Sequence, residues 1–504
     1  MLHHLISLMI LLPLLGAVAQ TAVPSSASSW SASRWIALIT SIASAVCGFA
    51  LVAAMQIQSA DLQFSEVLNW VGSYSIRYEV GIDGLNALFV LLISLLSPVL
   101  IASEWTRKSG VRGMHGLLLL LQFAFLGTVC AQDLFLLFFF WGASVIPFYF
   151  LIGVWGGKNR ERAAFQNLVS ASIGNALIFA AVVLIYYSVD PHTFSLAELA
   201  GSKLSGKTFE ILGSEFAVGP VAFVFLSLGI ALRVAVWPFH GWLVHSSEEA
   251  PASTFVAISS GLIPVACYVF IRVCYPLIPD TLNTAAPYLV AFGAANLLIG
   301  SFSALAQKTM RSLLAYIVVA QTGLFFIGVG SLSHAGVVGS IYNQFALALG
   351  VASIGLLSGT IEGRIGSSQF RGPNNETPIS GIVGKAPMVA IVCGIALASI
   401  LGMPGLGGFV GQALVVLGAY AGHPVAVILA AVGLLLSVYT LLNMFRCLFL
   451  GAETPISNGV SDLLTSEKIY FSSLLVFMLV IGVYPKPFLE IVRPTVLTLI
   501  SSIK

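Results

Sequence analysis

The 504-residue chain is 58% hydrophobic and only 8% charged, so its charges are too few to cover a water-soluble protein of this size. The composition excludes a soluble globular protein and predicts a polytopic helical membrane protein. The net charge of +2, without a basic or acidic tail, gives no indication of nucleic-acid binding. The six cysteines are scattered singly, which predicts neither a metal site nor a disulfide framework.

Fourteen apolar windows are long enough to cross a bilayer, which takes about 20 residues of helix. The first window precedes many others and follows a weakly charged N-terminus, so we interpret it as a retained span and not as a signal peptide. In chain order the windows lie near 4–20, 34–55, 84–103, 113–130, 132–155, 163–187, 217–239, 254–274, 284–304, 312–331, 336–360, 386–421, 425–450 and 470–486.

The seventh and twelfth windows are interrupted by residues that a continuous helix does not tolerate. Pro238 lacks an amide proton and clashes with the preceding turn, which predicts a break near Val234. Glycine and proline are equally disruptive at 401–411. Two breaks five spans apart predict an all-α fold with an inverted 5+5 helix repeat. The predicted parts are spans one to three (1–112), a first five-helix copy broken near 233–242 (113–275), a second copy broken near 401–411 (284–450), and a C-terminal loop, last span and interfacial tail (451–504).

Lysine and arginine are concentrated in the loops that follow odd-numbered windows, and such loops are typically cytoplasmic. These loops hold Arg34, Arg107, Lys108, Arg112, Lys158, Arg160, Arg162, Lys308, Arg311, Arg364, Arg371 and Lys385. The opposite loops hold far fewer, so both chain termini are predicted to lie outside. The apolar tail after Pro487 is predicted to lie along the membrane interface or to form a further short helix.

Arg233 lies five residues before Pro238, inside the seventh window. A charge at bilayer depth is costly unless it faces a bundle interior or water, and broken transmembrane helices often line ion paths. Arg233 is therefore a candidate functional residue. The structural alternative is a cation held by the free carbonyls at the helix end.

Seven segments, in order along most of the chain, resemble the antiporter-like membrane subunits of respiratory complex I. They are GIDGLNALFVLL (81–92), QDLFLLFFFW (132–141), IPFYFLIGVWGG (146–157), WPFHGWL (237–243), EAP (249–251), SLLAYIVVAQTG (312–323) and GMPGLGGFVGQ (402–412). The family also includes subunits of multisubunit cation/proton antiporters and membrane-bound hydrogenases. The resemblance implies proton translocation driven by quinone reduction, with other membrane subunits as partners and no cofactor, metal or catalytic site in this chain.

The resemblance also implies a relay of protonatable groups across the membrane midplane, since charge transfer needs a pKa that a neighbouring charge can move. Here every relay position falls on a residue that does not change charge, because an arginine is effectively never deprotonated and amides release no proton. The positions are Gly142 for the span-five glutamate, Arg233 for its lysine partner, Pro264 for the central lysine, Gln321 and Leu347 for two histidines, and Gln412 for the terminal glutamate. The sequence thus predicts a copy that does not pump along this axis, although the amides can still hold water.

Five residues are candidates for an ion pathway, namely Arg233, His240, Glu249, Gln321 and Gln412. His240 can titrate near neutrality, but a histidine in such a position more often donates to a backbone carbonyl. Glu249 matches the family's EAP motif, and its structural alternative is favourable placement near the N-terminus of span eight.

Three functions are compatible with these observations. The chain conducts protons as a membrane-arm subunit of a complex I-like NADH/quinone oxidoreductase, or it keeps the fold as a structural, non-pumping subunit. The third function is that of a partner in an antiporter-related transport or uptake complex. All three predict an integral protein of the bacterial cytoplasmic membrane, with any enzyme chemistry in other subunits.

Overall fold

The computed structural model describes residues 4–24, 30–202, 204, 206–211, 214–372 and 378–503. Within them the chain is mainly helical, with two short β-hairpins. The helices are α1 (Leu5–Ala22), α2 (Trp30–Ala53), α3 (Ala87–Ser103), α4 (Val111–Cys130), α5 (Leu134–Ala143), α6 (Val145–Trp155), α7 (Arg160–Tyr187), α8 (Leu196–Gly201), α9 (Val218–Val234), α10 (Gly241–Glu249), α11 (Ala252–Val256), α12 (Ile263–Leu277), α13 (Pro279–Leu305), α14 (Met310–Gly330), α15 (His334–Ile365), α16 (Pro387–Ile400), α17 (Gly407–Tyr420), α18 (Pro424–Phe449), α19 (Thr465–Val483) and α20 (Lys486–Ser501). The strands are β1 (Gln63–Val71), β2 (Ile76–Ile82), β3 (Thr208–Ile211) and β4 (Ser214–Ala217).

Each of the fourteen predicted windows contains a helix, and the all-α class is confirmed. Eleven helical segments among the described residues are long and apolar enough to cross a membrane. The apolar helices α3, α9, α16 and α17 are shorter, at 14 to 17 residues. The number fourteen and the division into four parts stay predictions.

Both predicted helix breaks are present. Helix α9 ends at Val234, where Ala235 has a left-handed backbone with φ of 58°, and α10 begins at Gly241. Helix α16 ends at Ile400, and the break before α17 contains two glycines with φ of 72° and 92°, values that side-chain-bearing residues rarely adopt. The second and third members of each predicted copy are in contact, α6 with α7 and α14 with α15.

A third irregularity, which the sequence analysis did not predict, lies between α11 and α12. The residues Ala257–Leu262 form a π-helical turn inside one apolar segment. Pro264 follows that turn and has no amide proton to donate to the carbonyl of Ser260, as an α-helix would require. The wider turn accommodates the proline at the position where the family places its central lysine.

The hairpins β1–β2 and β3–β4 follow even-numbered spans, so they share one end of the bundle. We call this end the hairpin face, and the opposite end, with loops 104–110, 156–159 and 306–309, the basic face. Neither hairpin was predicted, because the strands have only 9, 7, 4 and 4 residues, too few to form an apolar window of membrane length. Which face is cytoplasmic stays a prediction.

The tail forms the predicted further helix, α20, and this helix lies on the hairpin face. Gly84, just before α3, approaches it so closely that a Cβ atom there would lie 2.1 Å from the Ile491 carbonyl oxygen. The His334 ring also contacts the carbonyl of Arg493 at 3.3 Å. Gly84 is therefore one of the positions at which α20 packs closely on the bundle.

Substituting Gly84 by alanine is expected to displace α20 and destabilise the chain by about 1–3 kcal/mol, because backbone cannot yield as a flexible side chain can. The measurement is SDS-induced unfolding of the purified chain, together with proteolysis of the α19–α20 connection. Gly201→Ala is the matched control, since no atom lies within 4 Å of a Cβ atom built there. Equal unfolding midpoints for the two variants would contradict the close contact.

The core is formed by the α11–α12 segment together with α14 and α15, whose apolar windows are 100%, 94% and 89% buried. Helices α1, α2, α13, α18 and α19 are less than half buried and present apolar side chains outward. Apolar surface of this extent belongs against lipid or against other membrane subunits.

Candidate ion-pathway site

Arg233 occupies the last turn of α9, and only 1% of its surface is exposed. One Nη donates to the Ser144 Oγ at 3.0 Å, and the guanidinium lies 5.4 Å from the centre of the Trp141 ring. Its Nε has no hydrogen-bond partner, and no carboxylate pairs with it among the residues that the structure describes. The cation is thus held by a hydroxyl and an aromatic face, and not by the helix-end carbonyls that the structural alternative predicted.

Gly142 lies between the two residues that hold Arg233. A Cβ atom at Gly142 would meet only the Asn175 Nδ2, at 3.8 Å. There is therefore space for a Cβ atom at the position where the family has its glutamate. The Trp141 Nε1 donates to the Asn175 Oδ1 at 3.0 Å and fixes the ring under the guanidinium. Sequence reasoning missed Ser144 and Trp141, although both flank the predicted position directly.

The backbone groups freed by the break after α9 are satisfied by protein. The Trp237 amide donates to the Asn296 Oδ1 at 2.8 Å, and the Asn296 Nδ2 donates to the Val319 carbonyl at 2.7 Å. The Trp242 Nε1 donates to the Leu232 carbonyl at 2.8 Å. Such partners are required where a helix breaks within a membrane. Asn296 was not among the predicted residues, because nothing near it in the sequence points to Trp237.

His240 and Glu249 lie beyond the break, at the two ends of α10. His240 is half-buried, its ring meets Tyr316 edge-on at 5.6 Å, and its Nδ1 has no partner among the described residues. The predicted bond to a backbone carbonyl is therefore not seen. The carboxylate of Glu249 accepts the amide of Asn159 at 2.8 Å and its Nδ2 at 3.1 Å, which ties α10 to the start of α7.

The candidates of the second copy are held in separate small groups. The Gln321 Oε1 accepts from the Asn343 Nδ2 at 3.3 Å. The Gln412 Nε2 donates to the Ile400 carbonyl at 2.9 Å, so this side chain closes the break between α16 and α17. Leu347 is buried within α15. The candidates therefore do not form one hydrogen-bonded chain with Arg233.

The basic face carries buried charges that join distant parts of the chain. Glu104 accepts from the Ser253 Oγ and from the Arg107 Nε, both at 2.5 Å. Arg311 donates to the Ala250 carbonyl at 2.6 Å. It also forms an ion pair with Glu362, near the end of α15. The bond to Ser253 joins the end of α3 to α11, and the bond to Ala250 joins α14 to the connection between α10 and α11.

The hairpin face carries a second set of buried charges. Arg272 forms an ion pair with Asp83 at 2.5 Å and also donates to Gln132. Asp83 is 4% exposed, and its Oδ1 accepts the amides of Leu85 and Asn86 at 3.0 and 3.2 Å. Asp83 lies in the GIDGLNA segment (81–87), and nothing in that segment indicates that Arg272 is its partner.

Next to this pair, Arg77 and Glu198 pair at 2.7 Å. The hydrogen bond that Arg77 donates to Glu198 raises the pKa of Arg77, whereas the bonds that Glu198 accepts from the Thr193 hydroxyl and then from Arg77 lower the pKa of Glu198. Asp133 is fully buried, and burial raises its pKa to about 6. Its carboxylate accepts the amides of Leu136 and Arg77, so Asp133 caps the start of α5.

Two kinds of comparison place this architecture among known proteins. A family model described as "NADH:quinone oxidoreductase/Mrp antiporter, TM" matches residues 131–444, which is more than half of the chain. The chain belongs to this family. As a family member with many apolar helices, it is an integral membrane protein.

Individual relatives of this antiporter-family chain match it almost from end to end. NADH-quinone oxidoreductase subunit M of Rhodobacter capsulatus is 29% identical, over 99% of this chain and 97% of the relative. The subunit M of Mycobacterium tuberculosis (strain ATCC 25618 / H37Rv) is 27% identical, over 97% and 93%.

Solved structures agree with this family assignment. A chain in respiratory complex I from Thermus thermophilus superposes with a TM-score of 0.88 at 25% identity, over the whole of both chains. A chain of the Mrp complex from Dietzia sp. DQ12-45-1b has a TM-score of 0.83 at 21% identity, over 100% of this chain and 99% of that one. The second match shows the fold alone. Both solved relatives are subunits of multisubunit membrane complexes.

Proposed function

We propose that this chain is a proton-translocating membrane-arm subunit of an NADH:quinone oxidoreductase-type assembly, in the place that subunit M holds in its relatives. The nearly full-length match to subunit M and the superposition on a complex I chain support this proposal. The membrane is that of a bacterium, with the basic face in the cytoplasm and both termini outside, since lysine and arginine favour the cytoplasmic side. Quinone reduction takes place in other subunits.

This chain differs from the family pattern chiefly because Arg233 has no carboxylate partner among the described residues. A relay works by moving a pKa with a neighbouring charge, but Arg233 has no paired carboxylate among the described residues, and Gly142 supplies none. A guanidinium also stays protonated at any working pH. The central axis through Arg233, Gln321 and Gln412 therefore does not transfer protons by charge switching.

Membership in the assembly is tested by purifying the tagged chain from its own membranes. The expected result is co-purification with iron–sulfur and quinone-reducing subunits and with donor-dependent quinone reduction. Recovery with antiporter subunits alone, or with an unrelated soluble enzyme, would instead favour the transport or uptake complex. The lower identity to the Mrp chain, 21% against 25%, is why that alternative comes second.

Removing the charge from the central axis is expected to leave proton translocation unchanged. Arg233→Met keeps a similar volume and removes a buried cation that lacks an ionic partner, so stability is expected to hold or to rise slightly. The measurement is the proton-to-electron ratio of the assembly in proteoliposomes, with Gln321→Leu as a second lesion on the axis. A clear fall of the ratio in Arg233→Met would show that this axis conducts.

A further inference from the structure

A set of buried polar side chains lies between α2, α3, α4 and the α11–α12 segment, away from the central axis. We call it the lateral column, and it consists of His115, Gln122, Ser41, Ser94 and Ser97. All five are at most 8% exposed. They lie in spans that the family resemblance does not connect with the relay. These three spans, α2, α3 and α4, precede or begin the first predicted five-helix copy.

Among the described residues, most of the polar atoms in the lateral column have no hydrogen-bond partner. Both ring nitrogens of His115, the Gln122 Oε1 and the hydroxyls of Ser41 and Ser94 make no bond that meets hydrogen-bond geometry, although the Ile101 carbonyl lies close to the His115 ring. A buried polar group left unpaired costs about 1–3 kcal/mol. Groups of this kind are normally satisfied by ordered water.

The geometry leaves room for such water. The Gln122 Nε2 reaches the Ser41 carbonyl at 3.4 Å, which joins α4 to α2. Gln122 and Ser97 are the polar residues that line a cavity of about 20 Å³ among mainly apolar side chains, beside Gly261 of the π-helical turn. A cavity of roughly 10–15 Å³ is the smallest that holds one water. The absence of a side chain at Gly48 makes space for the Ser94 hydroxyl, which would lie 2.3 Å from a Cβ atom there.

The lateral column runs from one charged face towards the other. On α4, His115, Gln122 and Val129 follow at intervals of seven residues, so they share one side of the helix and rise by about 10 Å each. At the basic end the charged groups that act on His115 are Glu104, Arg34 and Arg107.

At the hairpin end the Val129 carbonyl accepts from the Asn86 Nδ2 at 3.1 Å and from the Tyr268 hydroxyl at 2.8 Å. The amide of Asp83 in turn donates to the Asn86 Oδ1 at 2.9 Å. The lateral column therefore has the ion-paired carboxylate of Glu104 at one end and the Asp83–Arg272 pair at the other.

We propose that the lateral column holds a chain of ordered waters and carries protons between the two faces of the membrane. The proposal rests on the proposed function, in which quinone reduction by other subunits supplies the energy. Glu104 accepts a proton from the basic side and passes it to one nitrogen of His115, whose other nitrogen releases one to water. Waters at Gln122 and the serines then shift their hydrogen bonds in sequence, and Asp83 receives a proton and releases it to water at the hairpin face. This leaves His115 in its other tautomer and the waters reversed, so the ring and the waters reorient before the next proton passes.

The test is the proton-to-electron ratio of the purified assembly in proteoliposomes, with its own electron donor and a soluble quinone. His115→Gln removes the titratable ring, and Gln122→Leu removes the water-binding amide at similar volume. Both are expected to lower the ratio to the same value while quinone reduction continues. The double variant is expected to lower it no further, because both lesions block one route.

Gln344→Leu is the matched control, since this amide on α15 is also buried with neither polar atom paired among the described residues. It is expected to keep the parent ratio. An unchanged ratio in both column variants, within assemblies that reduce quinone, would overturn the lateral column and leave the proposed function standing.

A second measurement serves if the variants do not assemble. An electron-microscopy map of the parent assembly that resolves water is expected to show density bonded to His115 and Gln122, continuing past Ser94. A dry column in that map would overturn the proposal. Failure of the chain to co-purify with quinone-reducing subunits concerns the proposed function alone, so the two failures are distinguishable.

Discussion

Replacing Asp83 by alanine is expected to destabilise the chain by about 3–5 kcal/mol, because the substitution leaves Arg272 buried without its ionic partner. Arg272 and Asp83 come from segments 189 residues apart, and their side chains are 12% and 6% exposed. Alanine also removes the acceptor for the amides of Leu85 and Asn86, which start α3. The measurement is SDS-induced unfolding of the purified chain, read from helix content.

Two further variants separate the contributions to this effect. Asp83→Asn retains an oxygen for the two amides and loses only the charge, so an intermediate loss is expected. Combining Asp83→Leu with Arg272→Leu removes both charges and is expected to recover much of the stability, since two apolar side chains replace a costly buried pair. If Asp83→Ala behaved like the control Gly201→Ala, the ion pair would contribute nothing.

The architecture was predictable from the sequence because its determinants are local. An apolar run of membrane length forces a helix, since backbone groups in lipid must bond within their own segment. Pro238 and the glycines after Ile400 interrupt such runs regardless of what packs around them. The π-helical turn before Pro264 has an equally local cause. It was missed because proline alone does not reveal whether a helix breaks or widens.

The candidate site was only partly predictable, because side-chain partners depend on packing between distant spans. The neighbourhood of Gly142 and Arg233 follows from the family motifs, and the structure adds Ser144 and Trp141 in contact with the cation. The role of Gln412 as a cap on a broken helix was not foreseen, because the Ile400 carbonyl becomes free only once the break forms.

Polar residues within apolar runs were the least predictable of all. His115 and Gln122 look like isolated exceptions in α4, and only the packing of α2 and the π-helical turn around them defines the lateral column. The role of Arg272 is likewise evident only from its ion pair with Asp83, which the fold brings beside it. Intramembrane polar groups mark function or exact packing, but their sequence positions do not tell which.

The stability of the hairpin face is expected to fall as pH rises from about 4 to about 6. Burial raises the pKa of Asp133 from an ordinary value of 3.8 to about 6, even though the amides of Leu136 and Arg77 act in the opposite direction. The folded state therefore binds a proton that the unfolded chain has already lost. Stability is fully present below pH 3.8 and is lost as pH rises through 6, by about 3 kcal/mol in total.

Asp133→Asn is the variant that tests this dependence. The amide does not ionise and keeps an acceptor for the backbone of Leu136, so this variant is expected to lack the loss of stability due to Asp133 and to be more stable than the parent at pH 7. Burial also raises the pKa of Glu79, whose contribution has the same sign and is measured separately with Glu79→Gln. Because the pKa of Glu198 is lowered and its contribution has the opposite sign, the quantity compared is the difference in SDS-unfolding midpoint between the parent and Asp133→Asn at each pH. A parent midpoint that does not fall relative to that of Asp133→Asn between pH 4 and 6 would contradict a neutral Asp133 in the fold.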